Sequence, residues 1–132
     1  MSPERVYTRP LIDKLGVAPR ARVAVVGIDD EAFLATLAAR THDITEGPPL
    51  LQTDLVFLAA DSHAELAGLA ELRGRLKPAG AIWVVSRKGR AATLRDVEVM
   101  AVARAGGLVD NKVVAFSVTH TAIRLVIPRA QR

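Results

Sequence analysis

Residues 22–31 read Arg22-Val23-Ala24-Val25-Val26-Gly27-Ile28-Asp29-Asp30-Glu31. An unbroken apolar run closed by glycine has the composition of a strand buried on both faces, as in a parallel sheet covered by helices. In such α/β sheets the turn after the first strand is where a nucleotide is held. A dinucleotide there needs several glycines, because the backbone must approach the ligand closely and the turn needs positive φ. Here one glycine is followed by isoleucine and three acids, where a phosphate requires bare N–H groups. The strand belongs to a nucleotide-type scaffold, and the loop departs from it.

The residues on either side extend the same pattern. Tyr7 to Leu15 reads as a short helix stopped by Gly16, part of a lead-in over residues 1–18. Asp30 is placed to cap a helix over 31–40 with Phe33, Leu34 and Leu37 inward, and a short strand is expected near Asp43–Thr45. The run 54–60 is a second buried strand. Ser62-His63-Ala64-Glu65 is a capping box opening a helix with Leu66, Leu69, Leu72 and Leu76 inward, which Lys77-Pro78-Ala79-Gly80 ends. Ala81-Ile82-Trp83-Val84-Val85 is the third buried strand. Thr93-Leu94-Arg95-Asp96 is a looser box, before a helix with Leu94, Val97, Met100 and Ala101 inward that stops at Gly106-Gly107. Strands 112–118 and 122–127 lie too close in sequence for a crossover helix, so they pair as an antiparallel hairpin closed by Pro128. Alternating elements without repeat or linker predict a single α/β domain over residues 1–132, a three-layer Rossmann-like sandwich with a mostly parallel sheet and a C-terminal antiparallel hairpin.

Composition narrows the function classes. The 132 residues are 50% hydrophobic, enough for one sizeable core, and contain no cysteine, which excludes disulfides, thiolate catalysis and zinc–sulfur sites. No apolar run approaches the roughly 20 residues of a membrane span, and Met1-Ser2-Pro3-Glu4-Arg5 lacks a secretory h-region. The expectation is a cytoplasmic protein without membrane contact. The net charge of +4 is unevenly laid out: residues 29–71 hold nine acids and one base, Arg40, whereas residues 72–95 hold seven bases and no acid. One Trp, one Tyr and three Phe supply few stacking platforms, so the basic stretch argues weakly for nucleic acid.

Two families share parts of this pattern. The stretch Gln52-Thr53-Asp54-Leu55-Val56-Phe57-Leu58, the following helix, and Leu76-Lys77-Pro78-Ala79-Gly80-Ala81-Ile82-Trp83-Val84-Val85 resemble the second half of a class I S-adenosylmethionine-dependent methyltransferase. That resemblance implies a truncated methyltransferase-like sheet. The family's glycine-rich methyl-donor loop would fall at Gly27–Glu31 and is not present. Tyr7, Pro10-Leu11, Lys14-Leu15-Gly16-Val17, the strand at 22–27, Gly107-Leu108-Val109-Asp110-Asn111-Lys112-Val113 and Arg124-Leu125-Val126 resemble the DUF3052 family of small bacterial proteins, which has no characterised activity. Its members carry acids and a tryptophan in the last hairpin, where this chain has Ser117-Val118-Thr119-His120-Thr121.

Candidate site residues cluster where topology brings strand ends together. Gly27, Asp61 and Ser86 follow the three buried strands and are expected along one rim, at the carboxyl edge where α/β folds hold ligands. Asp29 and Asp30 bring negative charge there, and Arg87, Lys88 and Arg90 bring positive charge from a glycine-containing loop. Asp29 and Asp30 also suit the first turn of a helix, and the basic loop also suits a solvated surface. His42, His63 and His120 lack ligand spacing, and no nucleophile elbow is present. No catalytic residue, metal or cofactor is assigned. The sequence thus favours a non-catalytic methyltransferase-like module that binds a protein or a small anionic or zwitterionic ligand. The alternatives are a divergent enzyme using a methyl donor or nucleotide in an atypical pocket, and a nucleic-acid accessory protein acting through residues 72–95.

Overall fold

In the computed structural model, which describes residues 9–132, the run at 22–27 forms β1, Arg22–Val26, at the heart of one six-stranded sheet. β2 (Asp43–Glu46) and β3 (Thr53–Ala59) flank it in parallel, and β4 (Leu76–Arg87) pairs in parallel with β3. β6 (His120–Val126) runs antiparallel against β4, and β5 (Val109–Ala115) antiparallel against β6. The order β2-β1-β3-β4-β6-β5 is the mostly parallel sheet with a terminal antiparallel hairpin that the sequence predicts.

Side chains alternate across each central strand and so divide between two cores. Val23, Val25, Leu55, Phe57, Trp83 and Val85 point to one face, where α1 (Leu11–Lys14) and α2 (Glu31–Arg40) cover them with Ile12, Phe33 and Leu37. Ala24, Val56, Leu58, Ile82 and Val84 point to the other. There α3 (His63–Leu66), α4 (Leu69–Arg73) and α5 (Asp96–Ala105) contribute Leu66, Leu69, Val99 and Ala103. Helices on both faces explain why these strands read as continuous apolar runs, each buried large residue contributing about 1.5–3 kcal/mol.

Several elements differ from the sequence reading. The lead-in helix is only α1; its expected start at Tyr7 lies outside the described residues. Ser62 caps α3, accepting from the Glu65 N–H at 3.2 Å, but the expected long helix breaks at Gly68 into α3 and α4, and Leu76 already belongs to β4. Lys77 to Gly80 does not terminate a helix: between the pairs Thr53–Leu76 and Leu55–Ala81 these four residues form an extended bulge within β4. α5 starts two residues later than the Thr93 box implies. The Arg95 N–H donates to Glu98 at 2.8 Å while the Thr93 hydroxyl donates to the Asp61 carbonyl. Along α5, Val99 and Ala103 face inward, whereas Val97, expected inward, is 62% exposed. The hairpin also moves toward the N-terminus, placing Asp110-Asn111-Lys112 in β5 and Val118, 95% exposed, at the turn.

Candidate functional site at the carboxyl edge

β1 ends on Gly27, whose φ of +75° lets the chain turn sharply over the sheet edge. Three residues later Asp30 caps α2, its carboxylate accepting the Phe33 N–H at 3.0 Å. Across the edge stands the β5–β6 turn. The Ser117 hydroxyl accepts from the N–H groups of Thr119 at 3.3 Å and His120 at 3.1 Å, which tightens the turn. The Thr119 hydroxyl and His120 Nδ1 are 2.7 Å apart. Phe116 anchors the turn from below, its ring 4.8 Å from that of Phe33, which itself meets Phe57 edge-on at 5.0 Å.

Between the two turns lies a cavity of about 240 Å³. Its floor is apolar, made of Ala59, Val85 and Phe116. Gly27 through Asp30, after β1, and Thr119 and His120, at the hairpin turn, line the rest. The lining thus combines two acidic residues, of which Asp30 also caps α2, with a histidine, a threonine and an apolar base.

The sequence-derived candidates fall into two groups. Gly27, Asp29 and Asp30 line this cavity. Asp61, Ser86 and Arg87 instead make a structural tie beside it. The Asp61 carboxylate accepts the Arg87 N–H at 2.8 Å and lies 3.9 Å from the Arg87 Nε. The Asp61 N–H donates to Glu65 at 2.8 Å. Ser86 is 3% exposed and donates to the Ala60 carbonyl at 2.7 Å, joining the ends of β3 and β4. Lys88 leaves β4 through an N–H bond to the Thr119 carbonyl at 3.0 Å, which couples the basic loop to the hairpin turn. Arg90 sits exposed on a 3-10 turn over Gly89–Ala91.

His120 and Thr119 were not among the candidates. The polar run Ser117 to Thr121 marks a turn, but nothing local says that this turn lies opposite Gly27. Their placement is tertiary: β3 and β4 separate the hairpin from β1 in the sheet, and the contact of Phe116 with Phe33 of α2 brings the turn over the carboxyl edge.

The basic stretch 72–95 does not form one surface. Arg73 donates to the Gly107 carbonyl and Gln131, Lys77 pairs with Asp54 at 3.0 Å, Arg87 with Asp61, and Arg95 with Glu98. β4 carries Lys77 and Arg87 ten positions apart, at opposite edges of the sheet. Beside α5, the Arg95 N–H and the His63 ring, at 2.8 and 3.2 Å, hold the Glu98 carboxyl below the usual carboxylate range. Among the described residues no group of three or more His, Asp or Glu is arranged to hold a metal ion, and no helix is long and apolar enough to cross a membrane.

Comparison with solved structures identifies the architecture. The chain superposes on a methyltransferase described as S-adenosylmethionine-dependent from Aquifex aeolicus with a TM-score of 0.68 and 14% identity, covering 89% of this chain and 88% of that one. A putative methyltransferase from Thermoplasma acidophilum gives a TM-score of 0.63 at 9% identity, covering 92% and 75%. The pyocyanin biosynthetic protein PhzM gives 0.62 at 14% identity, and this chain spans only about half of it, 87% of this chain against 52% of PhzM. No protein-family model matches the chain, and no curated protein matches it. The likeness to DUF3052 therefore rests on the quoted residues alone. The fold is that of the class I S-adenosylmethionine-dependent methyltransferases, in a shortened form.

Proposed function

We propose that this chain is a non-catalytic methyltransferase-like module whose carboxyl-edge cavity takes a small zwitterionic ligand in place of a methyl donor. The observation that carries this reading is the cavity itself: about 240 Å³, lined in part by Asp29 and Asp30. Pockets for drug-sized ligands and cofactors run to roughly 300–1,000 Å³, so a cavity of this size suits a ligand smaller than a whole nucleoside with its amino-acid tail. The two carboxylates also repel the donor's own carboxylate and favour a ligand ammonium group. Lys88 and Arg90, on the loop tied to the hairpin turn, supply positive charge for an anionic end.

A second reading is a divergent enzyme acting in this atypical pocket, and the Thr119–His120 contact favours it, since a hydroxyl beside an imidazole is a general-base arrangement. The dispersal of the bases in 72–95 over both sheet edges weighs against a continuous nucleic-acid surface.

Calorimetry with S-adenosylmethionine and S-adenosylhomocysteine tests the proposal, alongside a thermal-shift screen of small zwitterions. Neither nucleoside is expected to bind, and a zwitterion is expected to raise the melting temperature in wild type but not when Asp29 and Asp30 are both changed to Asn. Micromolar donor binding that is abolished by Gly27→Val overturns the proposal. Methyl transfer from a labelled donor selects the enzyme instead.

A further inference from the structure

Nearer the amino edge of the sheet lies a second charged surface, which shares no lining residue with the carboxyl-edge cavity. β5, β6 and β4 set Lys112, Arg124 and Trp83 in one cross-strand row. The row faces α1. Trp83 Nε1 donates to the Leu15 carbonyl at 3.1 Å, and the Lys112 ammonium donates to the Lys14 carbonyl at 3.2 Å. A bulge at Asn111, between the paired Asp110 and Lys112, adjusts β5 so that Lys112 reaches this position.

Arg124 lies between these two bonds, half-buried, and among the described residues no carboxylate pairs with it. The acids nearby are committed elsewhere: Asp13 to Arg40 at 2.7 Å, Asp54 to Lys77 at 3.0 Å and to the Arg22 N–H at 2.8 Å. Burial and the charge of Arg132 both lower the Arg124 pKa, yet a guanidinium stays protonated at any ordinary pH. A permanent charge held partly out of water without a counter-charge is costly, and a bound anion removes that cost.

Two grooves of about 330 and 380 Å³ meet at Arg124. The first also presents Lys14, Lys112 and Arg9, and the second Arg20 and Lys77, so cations outnumber acids in both. The planar fork of a guanidinium matches an oxyanion through two parallel N–H bonds, and flanking ammonium groups add charge without geometric demand. We propose that Arg124, flanked by Lys14 and Lys112, binds the oxyanion group of a small molecule, a phosphate or a carboxylate. The ligand body lies in the groove between α1 and β5.

The chain reports on this site by itself, because Trp83 is its only tryptophan and stands opposite Arg124 in the row. The full chain is titrated with inorganic phosphate, pyrophosphate and citrate at constant ionic strength, following Trp83 fluorescence and melting temperature. A saturable change with at least one of the three is expected; phosphate against citrate tells which oxyanion class the site prefers. Arg124→Gln weakens that binding by about tenfold or more, as expected for losing charge-assisted hydrogen bonds, and Arg124→Lys by less. Lys112→Gln, at an exposed position whose loss leaves the core intact, weakens it severalfold and serves as the second variant if Arg124→Gln does not fold. Lys88→Ala with Arg90→Ala, at the other edge, leaves it unchanged. Non-saturable responses to all three anions, or identical binding by wild type and both Gln variants, overturn the assignment.

Discussion

Gly80 offers the sharpest test of how the sheet is built. It closes the bulge in β4, and a Cβ added there would lie 2.9 Å from the Asp54 carbonyl oxygen, 3.0 Å from that of Thr53 and 3.1 Å from that of Lys77. Ordinary contact begins at 3.4 Å, so the nearest approach is 0.5 Å too short, and backbone must yield on three sides. That backbone is held in place: the Thr53 N–H donates to the Arg75 carbonyl at 3.0 Å, and the Asp54 carboxylate holds both the Arg22 N–H and Lys77. Overpacking of this kind costs about 1–3 kcal/mol. Because backbone rather than a flexible side chain must yield, the cost falls in the upper part of that range, about 2–3 kcal/mol. Replacing glycine recovers about 0.4–1 kcal/mol through the unfolded chain, which leaves Gly80→Ala destabilised by about 1–2.5 kcal/mol. At ~2.1 cal/mol/K of unfolding entropy per residue over 132 residues, each kcal/mol lowers the melting temperature by about 4 °C. The expected fall is therefore about 4–10 °C by circular dichroism, with a matching loss in urea at unchanged m-value. Gly68 is the control, since nothing lies within 4 Å of its added Cβ, and Gly68→Ala should stay within about 1 kcal/mol of wild type. A Gly80→Ala protein as stable as wild type would falsify the close-approach argument.

Three further outcomes follow from contacts described above. Ser86→Ala leaves the buried Ala60 carbonyl without the hydroxyl that joins β3 to β4 and should cost about 1–3 kcal/mol in denaturant titrations; no loss would mean the hydroxyl is dispensable. Phe33→Ala removes the ring that stacks against both Phe57 and Phe116, with an expected loss of about 3–5 kcal/mol, and loosens the hairpin turn so that amide exchange at Thr119 and His120 accelerates. Glu98 has a lowered pKa in the folded chain because of the Arg95 N–H and, next, His63. Its contribution is complete above the ordinary carboxylate range and is lost as pH falls through the lowered value, so the melting-temperature gap between wild type and Glu98→Gln should narrow on acidification; a gap independent of pH contradicts this linkage.

Much of the architecture follows from local pattern. The apolar runs at 22–26, 54–59 and 81–85 form the three central parallel strands, because a strand covered on both faces needs no polar alternation. Asp30 and Ser62 cap helices where their spacing predicts, because a cap bonds only to the turn that follows it. Where the expectation slipped, a distant partner had intervened. The Thr93 hydroxyl is captured by the Asp61 carbonyl, and α5 begins later. Lys77 to Gly80 has the composition of a turn but is drawn into β4 as a bulge against Thr53 and Asp54.

The candidate sites divide in the same way. Gly27, Asp29 and Asp30 are adjacent in sequence and their grouping needs no tertiary information. Their meeting with Thr119 and His120, about 90 positions away, depends on strand order, as does the row of Lys112, Arg124 and Trp83 on register between three strands. The sequence by itself determined the three buried parallel strands and the caps of α2 and α3, since burial pattern and caps act over a few positions. Only the tertiary structure decided which charges find partners and which, like Arg124, are left facing a groove, because pairing depends on distances that no local spacing encodes.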